Sequence, residues 1–181
     1  MRDRPSPAAL LQFWRDAGAG RWFKHDPAFD AAFRERFLAA HEAAVAGELS
    51  DWGASAEGAL ALVLLLDQFP RNAFRDTPRM YASDAQARAV ADAALQRGFD
   101  REVEPALRQF FYLPFMHSER LPDLERCVAL NREQGGESLR YALHHRDIVE
   151  RFGRFPHRNA VLGRESTPEE ERFLAEGGFG G

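Results

Sequence analysis

The sequence predicts an all-α protein: a single domain over residues 1–181, built as an array of antiparallel helix pairs with about eight helices. Three observations lead there. Apolar residues recur at spacings of three and four, as in Phe29, Phe33, Phe37, Ala40 and Ala44, which is the stripe of an amphipathic helix. Helix start and stop signals punctuate the chain at short intervals. No segment alternates apolar and polar residues with period two, so no sheet is expected.

The elements follow in order. Ser6-Pro7 reads as an N-cap followed by proline at the first helical position, and the helix carrying Leu10, Leu11, Phe13 and Trp14 ends near Gly18. Asp26-Pro27 starts a second helix that runs to about Ala46, with Gly47 as its stop. Trp52 falls in a loop, and Ser55 caps a third helix. Its run Ala59 to Leu66 is apolar all round, which predicts a central helix covered on every side. That helix is expected to end at Asp67-Gln68-Phe69-Pro70, because proline removes a backbone donor. Asp67 then sits at the end of a buried helix and needs a cationic partner, either Arg71 or a more distant Arg or His.

Ser83-Asp84-Ala85-Gln86 reads as a capping box before a fourth helix that stops at Gly98. A fifth, aromatic-rich helix starts at Val103 and bends or ends near Pro114. Pro122 opens a sixth, which Gly135-Gly136 breaks. The seventh, from Ser138 to Phe152, places Tyr141, His145, Ile148 and Phe152 on one stripe, His144 on another face, and Asp147 four residues before Arg151 as an ion pair. Thr167-Pro168-Glu169-Glu170 starts a short eighth helix, and the tail Gly177-Gly178-Phe179-Gly180-Gly181 is expected to fray.

Composition narrows the function classes. An apolar fraction of 45% with 29% charged residues belongs to a globular chain, not a disordered one. A net charge of -4 gives no general attraction to nucleic acid or to an anionic membrane, so neither is an expected partner. The lone cysteine, Cys127, excludes an intrachain disulfide and reads as a small buried residue, which suits a cytoplasmic protein. Met1-Arg2-Asp3-Arg4-Pro5 leads into an amphipathic segment, not into the apolar region of a signal peptide.

Several blocks together carry a resemblance. Trp22-Phe23, Leu65 through Asn72, Tyr112 through Glu119, Arg151 through Asn159 and Leu162 through Glu170 stand in the order and form of the bacterial DUF924 family. The likeness is collinear and covers nearly the whole chain. It implies an all-helical, tetratricopeptide-like array and supplies no reaction. One departure is visible: in Asp123-Leu124-Glu125-Arg126, Leu124 stands where relatives often carry a glutamine, so any polar contact that glutamine makes in relatives is missing here.

Candidate chemistry gathers in polar blocks at helix ends. The ligand-binding candidates are Trp22, Asp67, Arg71, Tyr112, His117, Glu119, His145, Arg154, His157 and Arg158. Two arginines and a histidine in the bend around Pro156 suit a carboxylate or phosphate. The first functional expectation is therefore a helical binding protein for a small anionic ligand or peptide. The second is a hydrolase, acid–base or metal-assisted, using His117, Glu119 and His145, although no metal-ligand spacing and no cofactor motif is present. The third makes the polar blocks structural and leaves function to a protein interface, with Trp14, Trp22 and Trp52 as interface candidates. Phe69-Pro70-Arg71-Asn72 echoes Phe155-Pro156-x-Arg158-Asn159, which favours a helix-ending turn used twice.

Overall fold

The computed structural model describes residues 5–180, so the leading Met1–Arg4 reading lies outside the described residues. Helices α1 (Pro7–Ala17), α2 (Ala19–Trp22), α3 (Pro27–Val45), α4 (Ala56–Val63), α5 (Phe69–Ala73), α6 (Asp84–Gln96) and α7 (Pro105–Met116) come first in the chain. Helices α8 (Leu121–Asn131), α9 (Gly136–Phe152), α10 (Asn159–Leu162) and α11 (Pro168–Ala175) follow. The fold is all-α, with slightly more helices than expected because the short α2, α5 and α10 lack strong start and stop signals. The described residues group into two compact units, one of residues 5–75 with 79–114, the other of 76–78 with 115–180.

In the first unit the predicted caps form. Ser6, Asp26 and Ser55 each accept a hydrogen bond from a first-turn amide of the helix that follows. The α3 stripe of Phe29, Phe33, Phe37, Ala40 and Ala44 is buried as its spacing predicts. Its rings meet Trp14, and Phe33 also meets Phe69 edge-on. Trp14 and Trp22 stack 6.2 Å apart, and the Trp22 indole N–H donates to the Trp14 carbonyl at 2.7 Å. Both tryptophans are therefore core residues, not surface anchors. Gly58 lets α4 approach the Trp52 carbonyl more closely than any side chain allows, since an added Cβ would overlap it.

The helix expected to stop at Asp67–Pro70 continues instead. Leu64–Gln68 is a π-helical turn, and α5 follows it directly. The Phe69 amide reaches back five residues to the Leu64 carbonyl, and Pro70 has no amide to give. The usual donors to the Leu65 and Leu66 carbonyls are thereby removed. Two side chains replace them: His41 Nδ1 lies 2.9 Å from the Leu65 carbonyl, and the Ser83 hydroxyl donates to the Leu66 carbonyl at 2.6 Å. This also explains why the expected capping box at Ser83 does not form. Its hydroxyl is committed to the π turn, while Gln86 donates to the Val45 carbonyl.

In the second unit α8 packs on α9 across a short Gly-marked connection. Leu124, Ile148, Val149 and Phe155 form its core, with Phe152, Phe173 and Phe179 against them. Leu124 is thus an apolar core residue. Tyr141, placed on the α9 stripe by spacing, is 46% exposed, because the buried face runs through Ala142, His145, Ile148 and Val149 and leaves Tyr141 to one side. The capping box at Thr167 and Glu170 forms as its sequence predicts. The Phe-Pro-Arg-Asn echo is not one turn used twice. Pro70 lies inside a helical run, whereas Pro156 follows an extended Phe155 and opens a single 3-10 turn.

Candidate functional site

Four candidate residues, Trp22, Asp67, Arg71 and Tyr112, belong to the first unit, and the other six belong to the second. In the first unit their polar atoms are engaged internally. The Arg71 guanidinium donates to both Asp84 oxygens at 2.7 and 2.9 Å, and to the carboxylate and carbonyl of Asp67 at 3.3 and 3.0 Å. Burial works against its charge, but Asp67 and Asp84 outweigh that and hold its pKa well above the usual arginine value. Asp67 is completely buried and also accepts from Gln68 at 2.7 Å. The partner demanded by a buried carboxylate is therefore Arg71, four residues on. The Tyr112 hydroxyl donates to Asp100 at 2.8 Å.

In the second unit two arginine forks are filled by acids. Arg164 holds Glu119 through both oxygens at 2.7 and 2.9 Å, and Glu119 also accepts from the Phe155 amide at 2.8 Å. Burial raises the Glu119 pKa, but the bonds from Arg164 and Phe155 win and hold it below the usual carboxylate range. Arg154 grips Glu170 at 2.7 and 2.9 Å and reaches the Glu165 carbonyl. The Arg154 bonds are the main reason the Glu170 carboxyl is held down to about 2. The expected Asp147–Arg151 pair does not form. Asp147 is taken by the adjacent Arg146, and Arg151 reaches across to Glu169 on α11.

The remaining candidates converge. His145 and His157 flank the Phe179 ring edge-on, at 4.7 and 5.1 Å between centroids. Phe155 lies 5.6 Å from His145 and 5.7 Å from His157. The Arg158 guanidinium sits 4.8 Å over Phe155 and donates to the His117 carbonyl at 2.7 Å. His145 Nδ1 faces the Tyr141 carbonyl at 2.7 Å, and a carbonyl only accepts, so this nitrogen carries the proton. Burial pushes the His145 imidazole down to about 4; the Tyr141 bond opposes this, while His117, His144 and His157 add to it. The site is thus a cluster of imidazoles around a neutral His145, with one guanidinium beside it, closed by a phenylalanine from the C-terminal tail. That tail, expected to fray, folds back through Gly177 in the left-handed region (φ 82) and a Gly178 amide bond to the Phe173 carbonyl at 2.8 Å.

A family model described as a bacterial protein of unknown function, DUF924, matches residues 10–178. The chain belongs to the DUF924 family. A solved structure titled as a protein of unknown function, ATU0120, from Agrobacterium tumefaciens is similar to it, with 54% sequence identity and a TM-score of 0.93. That likeness covers 94% of this chain and 97% of the other. A comparison with curated proteins found no match.

In this DUF924 chain several site residues escaped the sequence reading. Arg164 and Glu170 lie in the block that carries the resemblance, yet nothing local marks them as partners of Glu119 and Arg154. Phe179 was hidden by its glycine-rich surroundings. His41 falls at stripe spacing, four residues after Phe37, but only the π turn that it serves reveals its purpose. Among the described residues, no group of three or more His, Cys, Asp or Glu side chains is arranged to hold a metal ion. No helix among them is long and apolar enough to cross a membrane.

Proposed function

We propose that this is a cytoplasmic helical binding protein, and that it takes a small anionic ligand, or the acidic end of a peptide, at the histidine cluster of the second unit. The ligand displaces Phe179 and meets His145, His157 and Arg158, with His117 at the edge. The observation that carries the reading is the Phe179 ring, held between two imidazoles by ring contacts on a segment flanked by glycines. Phe179 is only partly buried, and ring contacts of this kind contribute about 0.5–1.5 kcal/mol each beyond the area they bury, so exchange for a ligand is energetically accessible. Arg158 supplies fixed positive charge, and an anion in the cluster favours protonation of the imidazoles beside it. Buried Cys127 supports the reducing compartment.

The test is a thermal-shift panel of phosphate, citrate, succinate and an acidic peptide at pH 6 and pH 8, on the wild type and on Phe179→Ala. The expected result is stabilisation by at least one anion, larger at pH 6, and larger still in Phe179→Ala. If no anion raises the melting temperature of either protein, the reading fails.

A second reading is supported by the filled arginine forks: Arg71, Arg154 and Glu119 act as ties between segments, and their part in the polar blocks is structural. A hydrolase on His117, Glu119 and His145 draws no support from Glu119, whose two oxygens are already occupied by Arg164 and the Phe155 amide.

A further inference from the structure

The π turn in the first unit builds a second polar recess. His41 on α3 is 3% exposed, its ring stacked on Phe69 at 4.8 Å between centroids and tilted against Phe74 at 5.6 Å. Its Nδ1 faces the Leu65 carbonyl, which can only accept, so Nδ1 carries the proton and Nε2 presents a lone pair. Burial lowers the His41 pKa, against the Leu65 bond, so the neutral ring prevails near pH 7. One face of the ring is stacked on Phe69 and the Nδ1 edge is taken by Leu65; the ring also lines the cavity beside it, and Nε2 is its remaining polar atom. That cavity measures about 170 Å3 and is bounded by His41, Glu42, Val45, Arg79, Ala82 and Ser83.

Its chemistry is specific. At the base is a neutral nitrogen acceptor. At the mouth are one carboxylate and one guanidinium, Glu42 and Arg79, paired at 3.2 Å and both about half exposed. The Arg79 guanidinium lies 3.9 Å over the centre of the Phe74 ring. The Ser83 hydroxyl is committed to the Leu66 carbonyl and adds no donor to the base. Val45 and Ala82 supply small apolar walls. An anion alone meets a lone pair at the base and a carboxylate at the mouth. A cation alone meets Arg79. A molecule with an amino group and a carboxylate on neighbouring atoms satisfies both, because it inserts into the Glu42–Arg79 pair with each of its charges facing the opposite one.

We propose that this cavity is a binding site for a small zwitterionic α-amino acid, with its ammonium donating to His41 Nε2 and Glu42 and its carboxylate on the Arg79 guanidinium. A cavity of about 150 Å3 admits a molecule the size of benzene, so a ligand of roughly six to eight heavy atoms fits this recess. This favours alanine, serine or proline over aromatic and long basic amino acids. The π turn is integral to the site: by removing the donors to Leu65 and Leu66 it pins His41 and Ser83, and so fixes the recess between α3 and the start of α6.

The experiment is isothermal titration of the whole protein with L-alanine, L-serine and L-proline, and with propionate and ethylamine as analogues that lack one charge. The expected result is binding of at least one amino acid, with both analogues weaker by at least tenfold. Arg79→Met and Glu42→Gln, both at half-exposed positions, should each weaken amino-acid binding at least tenfold with an unchanged circular dichroism spectrum. Binding should persist in His157→Gln, which separates this site from the histidine cluster. No heat with any of the three amino acids, propionate binding as tightly as L-alanine, or full affinity in Arg79→Met each overturns the proposal.

Discussion

Replacing Arg71 with methionine tests whether the first-unit polar block is a tie or a ligand site. The substitution keeps most of the stem and deletes the guanidinium. Four hydrogen bonds disappear: two to Asp84, one to the Asp67 carboxylate and one to its carbonyl. The side chains of Arg71, Asp67 and Asp84 are 15%, 1% and 10% exposed, so solvent can restore little of what is lost. Removing one partner of a buried ion pair costs about 3–5 kcal/mol, chiefly because the remaining charge stays buried. Asp67 keeps its bond from Gln68, which places the expectation at the lower end, about 3 kcal/mol. In a chain of this size that corresponds to a fall of roughly 6–12 °C in melting temperature. The assay is urea unfolding followed by far-ultraviolet circular dichroism. Adding Asp84→Asn to Arg71→Met removes one stranded charge and should recover part of the loss. A cost below about 1 kcal/mol, or a double variant less stable than Arg71→Met, refutes the argument that this block is held by its internal charge pairing.

Other outcomes follow from particular residues. The His145 pKa is depressed from 6.5 to about 4, so the unfolded chain binds more protons across that window. Stability from this group is complete above about pH 6.5 and is lost as pH falls toward 4, by at most about 3 kcal/mol; the pH dependence of urea unfolding in His145→Gln should be flatter there. Glu119→Gln weakens the grip on Arg164 and should cost about 1–3 kcal/mol at pH 7; its folded pKa is lowered, so the difference from wild type should shrink as pH drops below the unfolded carboxylate value near 4.3. Gly58→Ala forces a Cβ into the Trp52 carbonyl and should cost more than about 2 kcal/mol in urea unfolding. Cys127 is buried, and burial pushes its thiol up to about 12, so a disulfide reagent at pH 8 should leave it untouched in the native protein and react fully in 6 M guanidinium.

Helix starts were legible because their signals are local. Ser6, Asp26, Ser55 and Thr167 each satisfy amides within three residues of themselves, so a few neighbouring letters contain the whole interaction. Core faces were legible for the same reason, as the α3 stripe shows, since helical period fixes which side chains share a side. Ser83 marks where this fails. Its hydroxyl had a good local use as a cap, but an orphaned carbonyl 17 residues earlier in the chain offered a better one.

The all-helical class, the caps, the buried central helix and the need of Asp67 for a cation are all written in local residue patterns. How the charges pair, and where the chain leaves ideal geometry, came from packing between distant segments. Arg164 and Glu119 are 45 residues apart, and no local rule pairs them. The π turn arises because Pro70 sits in a helix too buried to break, and its orphaned carbonyls were matched by His41 and Ser83 from other segments. Phe179 likewise found its place between imidazoles that no spacing relates to it. Backbone signals act over one helical turn, whereas buried charges and orphaned carbonyls are satisfied by whatever partner the packing brings within about 3 Å.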